Sequence, residues 1–281
     1  MISFDKDRFS LAAGSFLACF GLTGKIPLNE EALRQIYRAF SNLPYENLSK
    51  IIRKHNSLAE GVSSLRTPEE VLEGFLAQRL GGTCFSLTQC LYSLLGFCGF
   101  TAYRVLGDIR HGTDIHCAVI ADLGEKKYLC DAGYLLPEPL LLAQYDRSVL
   151  RGSLYTYILK ADTGSTGVYH LYTRSPGSLE LKWRYRIRDR GVTDSEFERR
   201  WQLSFHDTMM NQIVLTRNLE KGQVYIHKHH LRLNLPGRKQ NLNIRYSIAE
   251  KIKELFDIDP QFLEKALTSL EEERTILTRR Q

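Results

Sequence analysis

His116-Cys117-Ala118-Val119-Ile120-Ala121-Asp122-Leu123-Gly124-Glu125-Lys126-Lys127-Tyr128-Leu129-Cys130-Asp131 reads as a β-hairpin. Two apolar runs flank the polar cluster Asp122-Leu123-Gly124-Glu125, the pattern of antiparallel strands joined by a turn. A turn centred between Leu123 and Gly124 sets His116 directly opposite Asp131, on one sheet face with Cβ atoms ~4.5–5.5 Å apart. At that separation a carboxylate holds an imidazole N–H and orients the ring. The bland alternative is a salt-bridged pair on a surface hairpin.

Upstream, Gly81-Gly82-Thr83-Cys84-Phe85 opens a helix whose apolar positions Leu87, Leu91, Leu94, Leu95 and Cys98 recur at helical spacing, ending near Gly96 or Gly99. Cys84 therefore lies in the first turn, where the helix dipole and free backbone N–H groups favour thiolate over thiol. Gly81 and Gly82 leave room there for a substrate carbonyl to approach the backbone. A small buried hydrophobe is the alternative for a free cysteine. A cysteine activated in this way, beside a histidine held by an aspartate, is a set of parts for nucleophilic acyl transfer.

Outside these two stretches, roughly the first 95 residues read as helical. Leu33, Ile36, Tyr37 and Phe40 follow Asn29 at helical spacing, and Thr67-Pro68-Glu69-Glu70 supplies a cap, a first-turn proline and two acids that match the dipole, ahead of Val71, Leu72, Phe75 and Leu76. From Phe100 to Leu203 short alternating runs predict strands: Thr101 to Leu106, Leu154 to Lys160 and Leu179 to Ile187. Gln223 to Leu235 is strand-like, Ser247 with Glu250 is a candidate capping box, and Asp259-Pro260 opens a last helix. The expected fold class is α+β: a helical N-terminal domain over 1–99 bearing the nucleophile, a β-barrel-like domain over 100–205 bearing the histidine and aspartate, and an α/β lid over 206–281.

A chain of 281 residues with 43% hydrophobic and 25% charged residues builds a packed core and is not a disordered chain. Its net charge of +6 suits a phosphate-bearing small molecule and falls short of a dedicated nucleic-acid binder. Six cysteines without a C-x-x-C pair point to a reduced, cytoplasmic protein and to no zinc site. The apolar run Phe9 to Leu22 is too short for a membrane span, and the charges of Asp5, Lys6, Asp7 and Arg8 before it cancel, which makes a poor signal peptide. Arg184, Arg186, Arg188 and Arg190 share one strand face, read as a solvated outer surface with binding of CoA phosphates or nucleic acid as the alternative. His227, His229 and His230 lack a metal-binding pattern.

The sequence resembles the arylamine N-acetyltransferases. Phe16-Leu17-Ala18-Cys19-Phe20-Gly21-Leu22-Thr23-Gly24 is similar to that family's opening helix and glycine exit, Leu43-Pro44-Tyr45-Glu46-Asn47-Leu48 to its P-F-E-N-L motif, Gly81-Gly82-Thr83-Cys84-Phe85 to R-G-G-x-C-F, and Asp131-Ala132-Gly133-Tyr134 to D-V-G-F. The resemblance implies a Cys84, His116, Asp131 triad in papain-like order. It also implies ping-pong transfer of an acetyl group from acetyl-CoA, through a Cys84 thioester, to an aromatic amine or hydrazine. No permanently bound cofactor, metal, nucleic acid or membrane partner is expected. Backbone N–H groups of Cys84 or Phe85 are expected to hold the oxyanion, and Tyr134 is a candidate wall of the acceptor pocket. Met209, Met210, Asn211 and Thr216 fall where the family places strand residues near the CoA cleft. The chain departs from the pattern at Leu80, where the family has an arginine that pairs with the motif glutamate, here Glu46. It departs again at Ser86 and Thr88, which replace a glutamate and an asparagine, and its Cys-to-His stretch is short for the family. Rival readings are an amide synthase acting on a carrier-bound acyl chain, a transglutaminase-like or peptidase-like hydrolase, and a degenerate binding protein.

Overall fold

The computed structural model describes residues 5–61, 63–143 and 146–279. Five helices come first, interrupted by one short strand: α1 (Lys6–Cys19), α2 (Glu30–Phe40), β1 (Tyr45–Glu46), α3 (Leu48–Glu60), α4 (Pro68–Gln78) and α5 (Cys84–Phe97). Their boundaries follow from capping. Asn29 accepts the Ala32 N–H at the start of α2, and Thr67 and Glu70 form a reciprocal capping box on α4. The run from Phe9 to Leu17 buries Phe9, Ala12, Ala13, Phe16 and Leu17 of α1 against the core. Among the described residues no helix is long and apolar enough to cross a membrane.

The middle of the chain supplies β2 (Thr101–Ile109), β3 (Gly112–Asp122), β4 (Lys127–Cys130), β5 (Leu140–Leu141), β6 (Arg147–Arg151), β7 (Thr156–Ala161), β8 (Val168–Arg174) and β9 (Lys182–Arg188). They form one antiparallel sheet in the order β5-β4-β3-β2-β9-β8-β7-β6, whose two edge strands β5 and β6 approach one another, so that it nearly closes on itself. The run expected from Leu179 begins as a strand only at Lys182, and Leu179 is solvent-exposed. After α6 (Asp194–Leu203) and two 3-10 turns, a second sheet contains β10 (Val214–Leu219), β11 (Gly222–His227), β12 (His230–Leu235) and β13 (Arg238–Asn243), with α7 (Ile248–Phe256) and α8 (Pro260–Arg279) following. The architecture is thus α+β, with a helical N-terminal part, a barrel-like sheet and a C-terminal α/β part. The expected capping box at Ser247 does not form: its side chain makes no cap hydrogen bond, and the residue departs from extended geometry at φ −135°, ψ 20°.

Two connections position the site. The hairpin β3–β4 pairs Val119 with Cys130 and Asp122 with Lys127, so the register lies two residues from the one expected. The connection is longer than a two-residue turn because Asp122 Oδ1 accepts the Gly124 N–H at 2.9 Å and Leu123 N–H donates to the Lys126 carbonyl at 2.9 Å. His116 and Asp131 are therefore not directly opposite, but a two-residue shift leaves every side chain on its original face, and the two remain diagonal neighbours. The second connection is β1, whose Tyr45 and Glu46 pair with Thr216 and Leu215 of β10. This joins the N-terminal part to the five-stranded sheet β1-β10-β11-β12-β13.

Candidate active site

Cys84 is the first residue of α5, and the N-cap residue Thr83 makes no side-chain bond to the helix, so the first-turn N–H groups have no side-chain cap. Gly81 and Gly82 serve chain packing, which corrects their expected use as an opening for substrate. A Cβ on Gly81 would fall 1.8 Å from the Pro44 carbonyl oxygen, because residue 82 runs alongside Tyr45 in a parallel bridge. The nucleophile loop is thereby strapped to the Leu43–Leu48 segment.

His116 Nε2 lies 2.7 Å from Asp131 Oδ2. Asp131 is fully buried, and its other oxygen accepts the Tyr134 N–H at 2.8 Å, so the carboxylate is held at both ends. The ring edge carrying Nδ1 is left for Cys84. Gly133 marks where the two meet: a Cβ there would lie 2.6 Å from Cys84 Cβ and 3.5 Å from His116 Cε1, so only glycine fits. Tyr185 of β9 packs on the imidazole with ring centroids 4.6 Å apart, and Tyr134 meets Tyr185 edge-on at 5.4 Å.

These neighbours set the charges. The Cys84 thiol is held well below its ordinary value by a hydrogen bond from the Cys117 thiol, which outweighs the opposing effect of burial. The His116 hydrogen bond and charge, and the charge of Lys50, act in the same direction. Burial works against the imidazolium of His116, yet the charge and hydrogen bond of Asp131, together with Cys84, push it up to about 10. Both shifts favour a thiolate beside an imidazolium. Cys117 shifts the opposite way, raised by burial, and stays a thiol.

A cavity of about 880 Å³ opens over Cys84 and His116. Tyr134, Tyr155, Tyr157, Trp183 and Tyr185 give it an aromatic wall. Arg110, His111, Lys182, Arg184 and Arg232 line it as well, and among the described lining residues Asp207 is the one acid. Met209, Met210 and Thr216 line it, whereas Asn211 does not. The arginine stripe on β9 is not a free face: Arg186 and Arg188 bind Asp108, Arg188 also binds Asp114, and Arg190 binds Glu196, leaving Arg184 to the cavity. The histidines near 227 form no metal cluster with other described residues, and His227 instead bonds Gln212 at 2.6 Å.

The support lost at Leu80 comes from another part of the chain. Leu80 is buried in the apolar cluster beneath Phe85, while Arg66 reaches the same region from the loop before α4. Arg66 donates to the Gly81 carbonyl at 2.7 Å and to Ser49 Oγ at 2.9 Å, and lies 3.9 Å from the fully buried Glu46. Arg79, adjacent to Leu80 in sequence, turns outward toward Asp257. Ser86 donates to the Thr83 carbonyl at 3.0 Å, and Thr88 donates to the Cys117 carbonyl at 3.2 Å, fastening α5 to β3 one residue from His116. Asn47 uses both N–H groups and its oxygen, donating to the Met209 and Gln212 carbonyls at 2.9 and 2.7 Å and accepting from Val214 N–H at 2.9 Å. Cys117, Lys50, Arg66 and Tyr185 were not singled out from sequence, and no local motif marks them.

The fold and this thiol–imidazole–carboxylate arrangement define a cysteine-based acyltransferase. A family model described as N-acetyltransferase matches residues 30–262, and the chain belongs to that family, the arylamine N-acetyltransferases. No curated relative matches the sequence. Among solved structures, the arylamine N-acetyltransferase of Mycobacterium abscessus is similar at 19% identity and a TM-score of 0.77, covering 94% of this chain and 96% of that one. That of Salmonella typhimurium is similar at 17% identity and a TM-score of 0.72, covering 95% and 100%. A third, from Bacillus cereus, is 20% identical with a TM-score of 0.70 over 89% and 98%, and is described as having a Cys-His-Glu triad. At these identities the likeness concerns the fold.

Proposed function

We propose that this enzyme moves an acetyl group from acetyl-CoA through a Cys84 thioester to an aromatic amine, with His116 and Asp131 completing the triad. The observation that carries the reading is a part-exposed thiol with a depressed pKa, opening into the cavity beside an imidazole fixed by a fully buried carboxylate. The Cys84 thiolate attacks the thioester carbonyl, and CoA leaves as its thiol with the proton of His116. The uncapped N–H groups of Cys84 and Phe85 hold the oxyanion. The amine then attacks the acetyl carbon, His116 takes its proton, a C–N bond replaces the C–S bond, and thiolate and imidazolium return. Tyr134 walls the acceptor side, and the cationic lining favours the phosphates of CoA.

Intact-mass measurement after mixing with acetyl-CoA and no acceptor is the direct test: a stable acetyl adduct on Cys84 is expected, and its absence overturns the reading. Salt separates CoA recognition from acylation chemistry. Screening shortens from ~10 Å at 0.1 M to ~3 Å at 1 M, so the KM for acetyl-CoA should rise with salt far more than that for p-nitrophenyl acetate. Equal responses from the two donors would remove the CoA assignment.

A further inference from the structure

Cys84 has a second thiol beside it. Cys117 follows His116 on β3, is fully buried, and supplies the S–H that Cys84 accepts. The same thiol lies 3.4 Å from Thr88 Oγ1, and Thr88 sits one turn beyond Cys84 on α5, so Cys117 is seated against the helix face that carries the nucleophile. Thr88 in turn donates to the Cys117 carbonyl at 3.2 Å, which holds β3 to that face. The other cysteines are placed differently. Cys90 and Cys130 are buried thiols that face the Pro68 and Tyr128 carbonyls at 3.6 and 3.9 Å, and burial pushes both upward. Burial pushes Cys98 up to about 11, and Cys19 is exposed at the end of α1.

The two neighbouring thiols are unequal in access. Cys84 is part-exposed and lines the cavity, whereas Cys117 does not line it. A small oxidant arriving from solvent therefore meets Cys84, and it meets it as a thiolate, the form that oxidants attack. The sulfenic acid formed there has two fates: further oxidation to an irreversible sulfinic acid, or condensation with an adjacent thiol. Cys117 is the thiol in position for the second.

We propose that Cys117 is a resolving thiol: when a hydroperoxide oxidises Cys84, Cys117 closes a Cys84–Cys117 disulfide that turns the enzyme off reversibly and spares Cys84 from over-oxidation. In the first step the Cys84 thiolate attacks one peroxide oxygen, the O–O bond breaks, and the other oxygen leaves with the proton of His116 as water or an alcohol. In the second, Cys117 attacks the Cys84 sulfur, an S–S bond replaces the S–O bond, and the Cys117 proton leaves with the hydroxyl group as water. The peroxide gains two electrons and the two thiols supply them. An external thiol reverses the change by exchange at Cys84, the accessible sulfur. No acyl group takes part, so the reaction is independent of the acetyl-transfer reading.

The test treats the full chain with hydrogen peroxide, without thiols or acyl donor, then records intact mass and maps disulfides in an unreduced digest. The parent is expected to lose two hydrogens as a single chain and to yield a linked Cys84–Cys117 peptide, and dithiothreitol should restore most of its activity towards p-nitrophenyl acetate. Cys117→Ala should instead accumulate sulfinic or sulfonic acid at Cys84, and the share of its own untreated activity that dithiothreitol restores should be at least about tenfold smaller. Expressing recovery relative to each protein's untreated rate cancels any effect of Cys117 on catalysis itself. Oxygen addition at Cys84 of the parent with no linked peptide overturns the proposal, as does a disulfide from Cys84 to another cysteine or equal recovery in the two proteins. Should Cys117→Ala not fold, the parent digest decides alone: the linked peptide supports the proposal and its absence overturns it.

Discussion

The two sides of the cavity differ in how completely their charged groups are partnered. On the sheet side, Asp131 is bonded at both oxygens, His116 lies between Asp131 and Cys84, and Tyr185 and Tyr134 seal the ring from the flank. On the helix side, Lys50 is buried with a donor to spare and the Thr83 hydroxyl has no partner. A group that must keep one geometry through a reaction benefits from having every partner fixed in advance. A group that must receive something benefits from a vacancy, because leaving a buried polar group unfilled discriminates against ligands that cannot fill it.

The largest effect on this contrast belongs to the nucleophile. Cys84→Ser is expected to fold with near-native thermal stability and to lose at least roughly 10³-fold in acetyl transfer, because a hydroxyl is not ionised by the same imidazole. Transfer rates and a melting curve check both halves, and activity near that of the parent would take Cys84 out of the mechanism.

Next comes the side where the ion pair is closed. Asp131→Asn keeps the shape but removes the charge that raises His116, and transfer should drop roughly 10²–10⁴-fold. The same pair has a pH signature. Since Cys84 is depressed and His116 is raised to about 10, iodoacetamide should alkylate the parent enzyme well below the ordinary thiol value of ~8.5. In Asp131→Asn that low-pH reactivity should weaken. A parent profile rising only near pH 8.5 would show that no thiolate–imidazolium pair exists.

The smallest effect on chemistry, and the most informative on scaffolding, concerns Arg66. Arg66→Met leaves Glu46 buried without its cation and the Gly81 carbonyl without its donor. A loss of about 3 kcal/mol is expected. That corresponds to a melting temperature lower by roughly 6–12 °C. Arg79→Met, on an exposed residue, should change it little. Equal shifts in the two variants would mean that Arg66 does not replace the arginine missing at residue 80.

What the sequence revealed depended on how local the signal was. Cys84 in a helix start, the helix cap at Thr67 and the two strands of the 116–131 hairpin follow from neighbours within a few residues. The pairing of His116 with Asp131 came through despite a register misread by two, since face is fixed by parity and turn length is not. Arg66 was invisible for the opposite reason. Its partners Ser49 and Gly81 lie 17 and 15 residues away, and nothing in a lone arginine before Thr67 distinguishes it from a solvated one. Lys50 reads as an ordinary polar position of a helix until α6 and its following turn bring Ser204, 154 residues later, over it. The β9 arginines alternate as a wet strand would, and Asp108 on β2, Asp114 on β3 and Glu196 on α6 convert them into ion pairs.

The clamp formed by Asn47 has a consequence for the order in which the molecule can be made. Its partners at 209, 212 and 214 leave the ribosome long after the nucleophile does. At 5–20 residues per second the delay between Cys84 and Val214 is roughly 6–26 s. During that time Tyr45 and Glu46 lack β10, their partner in the five-stranded sheet, and the cavity lining contributed by residues 204–234 is incomplete. The substrate chamber is therefore among the last parts of the site to be completed, because lining residues from Ser204 to Asn234 follow the nucleophile in the chain.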